Sequence, residues 1–452
     1  MNPLIFREYD IRGIVGEDLD ESTAKLIGQA YGTYAKRLGA VKVALGRDGR
    51  LSGPVLEPAV CEGIISTGIS VLRLGMVPTP VLYYVATTGN VGGGLQITGS
   101  HNPPNYNGFK GMVGDDTLHG PHIQELYRII QMNDFETGKG TVATLNPLAQ
   151  YGDDLAGRLH PSRKLKVVLD AGNGVGGMTA VPLLKRLGCE VIELFTDVDG
   201  NFPNHGADPT VPANMVDLQK AVVQHHAEFG IGLDGDGDRI GIVDETGGLL
   251  YGDRILMIFA RQVLQENPGA AILGEVKCSN LLYEDIAKHD GRPIMWKTGH
   301  SLIKAKMKEE HVKLAGEMSG HMFFADRFYG FDDATYAAGR FVEVVAASKV
   351  PTSQLLADVP KTFSTPEIRI DCPDSVKFKI IEKAQTAFKL TYNVIDIDGA
   401  RIVFPDGWGL VRASNTQPVL VMRFEAQTEK RLQEIRDLVE KPIQLWIEES
   451  GK

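Results

Sequence analysis

The sequence predicts an α/β fold: three related α/β domains with mixed, mainly parallel sheets, then a smaller C-terminal α+β domain, arranged around a central cleft. Three observations lead there. A strand entering a polar or glycine-rich loop and then a helix recurs about every hundred residues, the order that winds strands into parallel sheets. From about Pro360 this gives way to a hairpin signature and a long terminal helix. Four loops of ligand-binding composition, near positions 100, 236, 319 and 415, fall one in each unit.

In the first unit Leu26, Ile27, Ala30, Tyr31, Tyr34 and Leu38 form a helical stripe over Asp20 to Leu38, closed by Gly39. Val41 to Leu45 follows as a strand ending in Gly46-Arg47-Asp48. Gly92, Gly93 and Gly94 precede the apolar Leu95 to Ile97, a strand that delivers the next loop to one edge of a sheet. In the second unit Lys164 to Leu169 enters Asp170-Ala171-Gly172-Asn173-Gly174, with a helix to Gly188 and a strand from Glu190 to Phe195. Phe229 to Leu233 and Ile240 to Val243 also read as strands. In the third, Ala270 to Gly274 leads through Glu275-Val276-Lys277-Cys278-Ser279 to a helix from Asn280. In the fourth, Ile402 to Phe404 and Gly409 to Val411 flank Pro405-Asp406-Gly407-Trp408 as a hairpin. Val419 to Glu425 is another strand, and Thr428 to Trp446 is the terminal helix. The expected domains are 1–145, 146–248, 249–360 and 361–452.

Composition narrows the function classes. With 452 residues, 43% hydrophobic and 23% charged, the chain is globular and too long for one core. A net charge of −10 disfavours nucleic acid, which is bound through clustered Lys and Arg, but leaves room for a small anion in a local basic cleft. No apolar run approaches the ~20 residues of a membrane span, and the N-terminus has no basic segment before an apolar core. A cytoplasmic protein with no membrane partner is expected. Cys61, Cys189, Cys278 and Cys372 contain no Cys-x-x-Cys pair, so they are expected to be buried small hydrophobes.

The chemistry lies in the loops. Pro103 and Pro104 lack amide donors and push their predecessors out of the α region, so Ser100 sits on a loop. With His101 beside it and Lys110 a few residues on, Ser100 is placed to act as a nucleophile or to carry a phosphoryl group. A turn whose side chains bond only their own backbone has the same composition. Asp234, Asp236 and Asp238 alternate with Gly235 and Gly237, an arrangement that converges on one hard cation and suits Mg²⁺. An EF-hand competes, with Glu245 at the twelfth position, but Arg239 stands where its glycine is needed and the flanks are strands. A solvated acidic turn would have to bear three close like charges without a counterion.

Gly172, Gly174 and Gly177 match a dinucleotide fingerprint, with Glu190 and Glu193 near the distance for a ribose-binding acid. Tight strand-to-helix turns, however, need glycines with or without a dinucleotide. Glu317, Ser319 and His321 put an acceptor, a hydroxyl and an imidazole on alternate positions of a glycine-bounded turn, suited to adjacent sugar hydroxyls or satisfied by its own backbone. Arg412, Ser414, Asn415 and Thr416, with Arg423 following, gather donors without acidic neighbours, as a phosphate monoester or a plain surface turn would have it. Jointly the four loops point to one cleft where four units meet.

Thr98-Gly-Ser-His-Asn-Pro-Pro104, Asp234-Gly-Asp-Gly-Asp-Arg239, Gly316-Glu-Met-Ser-Gly-His321 and Arg412-Ala-Ser-Asn-Thr-Gln-Pro418 together resemble the four signature loops of the α-D-phosphohexomutase superfamily. The Glu-Met-Ser loop, with Phe6-Arg-Glu-Tyr-Asp-Ile-Arg-Gly13 and Trp296-Lys-Thr-Gly-His300, resembles most the bacterial phosphomannomutase/phosphoglucomutase branch. The resemblance runs along essentially the whole chain. Gly99 stands where many members carry alanine, which should loosen the loop without changing its chemistry.

The resemblance implies a resting phosphoserine at Ser100 and one Mg²⁺ per chain held by Asp234, Asp236, Asp238 and a phosphoserine oxygen. It implies reversible transfer between C1 and C6 of mannose and glucose phosphates through a hexose 1,6-bisphosphate, with glucose 1,6-bisphosphate as activator. Lys110, Arg12 and Arg239 would surround the transferred group, with His101 beside it; Tyr9, Lys277 and His300 would contact the substrate. Glu317 and Ser319 would hold the sugar 3- and 4-hydroxyls, with His321 completing that loop. Arg412, Ser414, Asn415 and Thr416 would bind the phosphate that is not reacting, supported by Arg423. Lys110 and His300 are both candidates for the proton carrier. The expected partners are small hexose phosphates, and the expected state is a monomer. The competing readings are a metal-dependent sugar phosphatase, a non-catalytic sugar-phosphate binder and a glucosamine-phosphate mutase, the last disfavoured by Met318.

Overall fold

The structure, a computed structural model, describes residues 1–415 and 417–450, and its named strands form four sheets. The first runs in the order Ile11–Ile14, Tyr106–Val113, Gly93–Ile97, Lys42–Arg47, Ser70–Met76, Val142–Thr144, with Asp116–Thr117 paired to Tyr106–Val113. Lys42–Arg47 lies parallel to both neighbours, whereas Tyr106–Val113 returns antiparallel to Gly93–Ile97. The Ser100 loop therefore leaves the carboxyl end of an interior strand, and the sheet edge it reaches is the strand-end edge where α/β ligands bind.

The second sheet orders Leu249–Leu250, Ile240–Asp244, Phe229–Leu233, Lys166–Asp170 and Glu190–Leu194. The third orders Arg292–Trp296, Ala271–Glu275, Leu314–Gly316 and Met322–Phe324. Both combine parallel and antiparallel pairs. The fourth is antiparallel throughout, built on Val419–Ala426, Gly407–Ala413 and Ala400–Phe404 and covered by the helices Lys377–Lys389 and Glu429–Ser450.

Local chemistry explains the elements. Asp20 caps the helix Glu21–Arg37 by accepting from the Thr23 amide at 2.7 Å, and Lys36 and Arg37 close its negative end. The hairpin in the fourth sheet is tighter than the sequence suggests: Phe404 pairs with Gly407, so Pro405 and Asp406 alone make the turn. Trp408 belongs to the strand because its ring is buried under the Arg401 guanidinium, 3.7 Å from the centroid. The terminal helix runs past Trp446 to Ser450, with Pro442 inside it. All four cysteines are free and buried. Among the described residues no helix is long and apolar enough to cross a membrane.

One apolar core runs through the first three sheets, joining Leu82 and Tyr83 to Leu169 and Phe229 and on to Phe259 and Phe341. The fourth sheet has a separate core around Phe388, Leu420, Met422, Ile435 and Val439. A small cluster of Val276 with Trp408 and Leu410 is its apolar link to the third.

Candidate active site

The four loops meet. Ser100 is held in a left-handed backbone conformation, φ 48°, by donors and acceptors from the neighbouring strand end. The buried Asp48 carboxylate accepts from the Thr98 hydroxyl at 2.8 Å and the Gly99 amide at 3.1 Å. The Arg50 guanidinium, wholly buried, donates to the carbonyls of Ser100, Asn102, Pro103 and Tyr106 between 2.6 and 2.9 Å. A Cβ at residue 99 would lie 2.3 Å from the Arg50 Cζ. Gly99 leaves the room in which the arginine that fixes this loop is seated.

The aspartate loop joins Phe229–Leu233 to Ile240–Asp244 and curls around one oxygen of Asp234, which accepts from the amides of Gly237, Asp238 and Arg239 at 3.0 to 3.1 Å. Its other oxygen takes the Ser100 hydroxyl at 3.0 Å. Gly235 allows this approach, because a Cβ there would lie 2.4 Å from the Ser100 carbonyl. Gly174, in the dinucleotide-like turn, packs on Gly235 in turn, where a Cβ would come within 2.8 Å, and the Val175 amide donates to the Gly235 carbonyl. With Gly176, which packs on Leu233 and Gly237, Gly174 serves as the floor of the aspartate loop.

Burial raises the Asp234 carboxyl, and Asp238 and Asp236 reinforce it. Asp236 goes the other way: its burial is outweighed by the Lys110 ammonium and by the Thr79 hydroxyl, which donates at 2.6 Å. Lys110, across the strand pair from Gln96, bridges Asp236 at 2.9 Å and Asp238 at 2.5 Å. Burial opposes its charge, but the three aspartates prevail and keep it protonated.

The three carboxylates are wholly buried, and an oxygen of each lies within 4.8 Å of the others. Asp236 Oδ1 and Asp238 Oδ1 have no hydrogen-bond partner among the described residues. Free, converging, hard oxygen donors beside a serine hydroxyl fit a small divalent cation such as Mg²⁺. Asp238, His321 and Asp332 form a second converging set that shares Asp238.

The sugar-type loop is tied to this one. The Ile240 amide donates to the Gly320 carbonyl at 3.0 Å, and Arg239 Nε donates to His321 Nε2 at 3.0 Å. His321 Nδ1 faces Asp332 at 3.0 Å, and the His300 ring stacks on His321 at 5.5 Å. Glu317, buried and with its carboxyl raised by desolvation, accepts from the Gly299 amide at 2.7 Å, and Ser319 lies on the same turn. Arg12 donates to Asn102 at 3.0 Å and pairs with Asp10. His101, 3.2 Å from the Ser100 hydroxyl, is kept neutral by burial and by Arg239, Arg12 and Lys110.

The last loop closes the ring: Asn415 donates to the Tyr9 hydroxyl at 2.6 Å, and the Tyr9 ring packs on Gly299. Burial pushes the Tyr9 phenol up to about 12. Arg412 is not without an acidic neighbour, as its local sequence suggested. Asp398, from the turn before Ala400–Phe404, accepts from its Nε at 3.0 Å. Ser414 accepts from the Gln417 amide at 3.1 Å, and Thr416 lies outside the described residues. Arg423 donates to the Lys277 carbonyl and lies 3.6 Å from Asp253, while Lys277 itself pairs with Glu367 at 3.2 Å.

Sequence reasoning passed over Asp48, Arg50, Glu275, Asp332 and Asp398. Glu275, fully buried, accepts from the Lys277 and Met318 amides and the Thr298 hydroxyl, so it sets both the lysine and the sugar-type turn. The only local signal was a charged pair or single acid at a strand end.

Known proteins share this four-part organisation. Residues 3–137, 149–248, 251–363 and 367–441 match, in order, domains I, II and III and the C-terminal domain of the phosphoglucomutase/phosphomannomutase family. A phosphomannomutase/phosphoglucomutase of Pseudomonas aeruginosa is 48% identical over 433 residues, spanning 96% of this chain and 94% of its own. A phosphoglucomutase of Neisseria gonorrhoeae is 48% identical over 438 residues, spanning 96% and 95%. The crystal structure of a phosphoglucomutase/phosphomannomutase family protein from Burkholderia thailandensis superposes with a TM-score of 0.93 at 44% identity, covering 98% of this chain and 97% of its own.

Proposed function

The chain belongs to the phosphoglucomutase/phosphomannomutase family, and from that premise we propose how its cleft works. It is an isomerase that moves a phosphoryl group reversibly between C1 and C6 of hexose phosphates, those of mannose and glucose. Ser100 carries the phosphoryl group at rest. Its P–O bond breaks as the free hydroxyl of a bound sugar monophosphate forms the new one, giving a hexose 1,6-bisphosphate. The sugar then turns end for end and returns its other phosphate to Ser100.

Asp234, Asp236 and Asp238, with an oxygen of the Ser100 ester, would hold one Mg²⁺, which supplies charge neutralisation for the transferring group. Lys110, kept protonated beside the triad, adds a second cation, with the charges of Arg12 and Arg239 nearby. Glu317 and Ser319 hold the 3- and 4-hydroxyls, which mannose and glucose present alike. Arg412, Ser414, Asn415 and Thr416 hold the far phosphate, and Tyr9, Lys277, His300 and His321 line the sugar's path. Glucose 1,6-bisphosphate recharges an enzyme that has lost its phosphate. We take the domains as 1–145, 146–248, 249–360 and 361–452, and the working form as a monomer in the cytoplasm.

The observation that carries this reading is the Ser100 hydroxyl 3.0 Å from Asp234 inside the ring made by the other loops. The test is intact mass, mapped to the Ser100 peptide, before and after mannose 1-phosphate and glucose 1,6-bisphosphate. The bisphosphate should leave one phosphoryl group on that peptide, and Ser100→Ala should abolish both label and isomerisation. Inorganic phosphate released faster than isomerised sugar would instead mark a phosphatase.

A further inference from the structure

Away from the catalytic cleft, a cavity of about 420 Å³ opens between the first and third units. Its size is that of small-ligand sites, and a junction between domains is where such sites concentrate. One wall is aromatic. The Tyr83 and Phe331 rings lie 5.8 Å apart, and Tyr329 lies nearly parallel to Phe331 at 6.0 Å. Met112 and Met307 add adaptable surface that accepts flat rings. The Tyr83 hydroxyl, on a residue 1% exposed, has no hydrogen-bond partner among the described residues, a cost that native interiors rarely leave uncompensated.

The other wall is cationic on a chain that is acidic overall: Lys304, Lys308 and Lys313 line it against the single carboxylate of Asp115. Lys304 pairs with Asp332 at 2.9 Å and Lys308 with Asp116 at 3.1 Å. Lys313 meets no carboxylate within 4.0 Å among the described residues. A wall that carries an ammonium without a carboxylate partner within 4.0 Å, facing a wall of aromatic rings, favours an anion on a flat apolar body.

The cavity also shares a helix with the catalytic cleft. In His300–Glu310, His300 stacks on His321 in the cleft, Lys304 follows about 6 Å along the axis, and Lys308 one turn further on. Lys304 lines the cavity, yet its partner Asp332 faces His321 Nδ1 at 3.0 Å. A ligand that draws the Lys304 ammonium toward itself therefore changes what holds His321.

We propose that this cavity is a binding site for a small aromatic anion, a flat ring system bearing one anionic group, and that its occupancy is coupled to the catalytic cleft through Lys304 and Asp332. The probe is 8-anilino-1-naphthalenesulfonate, whose fluorescence rises on binding. One probe per chain should bind, and saturating glucose 1-phosphate should not displace it. Lys313→Glu, at the unpaired cation, and Thr87→Trp, at the exposed rim, should each weaken binding at least tenfold while leaving basal mutase activity unchanged. With the probe saturating, kcat should fall at least twofold at unchanged KM. No stoichiometric binding, competitive displacement by the sugar phosphate, or wild-type affinity in both variants overturns the site. An unchanged kcat under saturating probe overturns the coupling.

Discussion

Ser100 pays for its position in backbone conformation: a non-glycine residue at φ 48° is disfavoured by roughly 1 kcal/mol or more, so the surroundings must hold it there. Arg50 does this with a planar fork aimed at four carbonyls, a job that a lysine's single ammonium cannot copy. Arg50→Lys should keep the pair with Asp48 but lower kcat by roughly 10- to 100-fold, since small misplacements at a reacting centre are that costly. Sugar-phosphate affinity should stay within a factor of about three; a parallel loss of affinity would show that Arg50 shapes the whole cleft. The aspartates make a second prediction at this scale. Mg²⁺ at 100 times its Kd should add about 2.7 kcal/mol of stability, read as a higher Tm than in chelator. Asp236→Asn should lose most of that increment, and an equal rise in the variant would place the cation elsewhere.

Among the elements, the helix Ala334–Ala347 carries a pH dependence in its cap. Asp333 caps it by accepting from the Tyr336 amide at 2.8 Å and also takes the Tyr151 hydroxyl at 2.7 Å. Burial pushes its carboxyl up to about 7, above the value of an unfolded chain. The folded state therefore binds the proton more tightly, and this group's stabilisation, fully present below about pH 4, is lost as pH rises through about 7. Asp333→Asn should narrow the gap in Tm between pH 5 and pH 8 by the equivalent of roughly 1 kcal/mol or more. An unchanged gap would mean that the carboxylate is already ionised in the folded protein at pH 5.

At the scale of the molecule, the first three units share one apolar core while the fourth keeps its own. Much of what joins the fourth to the third is polar: Arg401 on the carbonyls of Val276 and Cys278, Ser279 on Glu425 at 2.6 Å, and Lys277 on Glu367. Polar interfaces of this kind permit rigid-body motion, and the Asn415–Tyr9 bond and the Arg7–Asp374 pair are contacts such a motion would make and break. Solution scattering should find a smaller radius of gyration with glucose 1-phosphate than without it. Tyr9→Phe should weaken sugar-phosphate binding about fivefold, the equivalent of one hydrogen bond of about 1 kcal/mol. Identical scattering in both states would leave the fourth unit fixed.

What could be read from the chain alone was whatever is written into contiguous residues. The helix and strand periodicities, the order of the four units and the chemistry of each loop depend on side chains a few positions apart, so spacing was enough to single out Ser100, the alternating aspartates, Glu317 and Arg412 as candidates. The supports escaped because each is an ordinary residue in an ordinary turn until folding brings it against a loop far away in the chain. Asp48 and Arg50 act some 50 positions from Ser100, and Asp398 reaches across to Thr298. The glycines' packing roles were hidden for the same reason: Gly99 and Gly174 are conformationally free in isolation, and only the fold presses the Arg50 side chain and the Gly235 backbone against them. Burial, charge pairing and close approach are properties of the packed interior, and no local spacing encodes them.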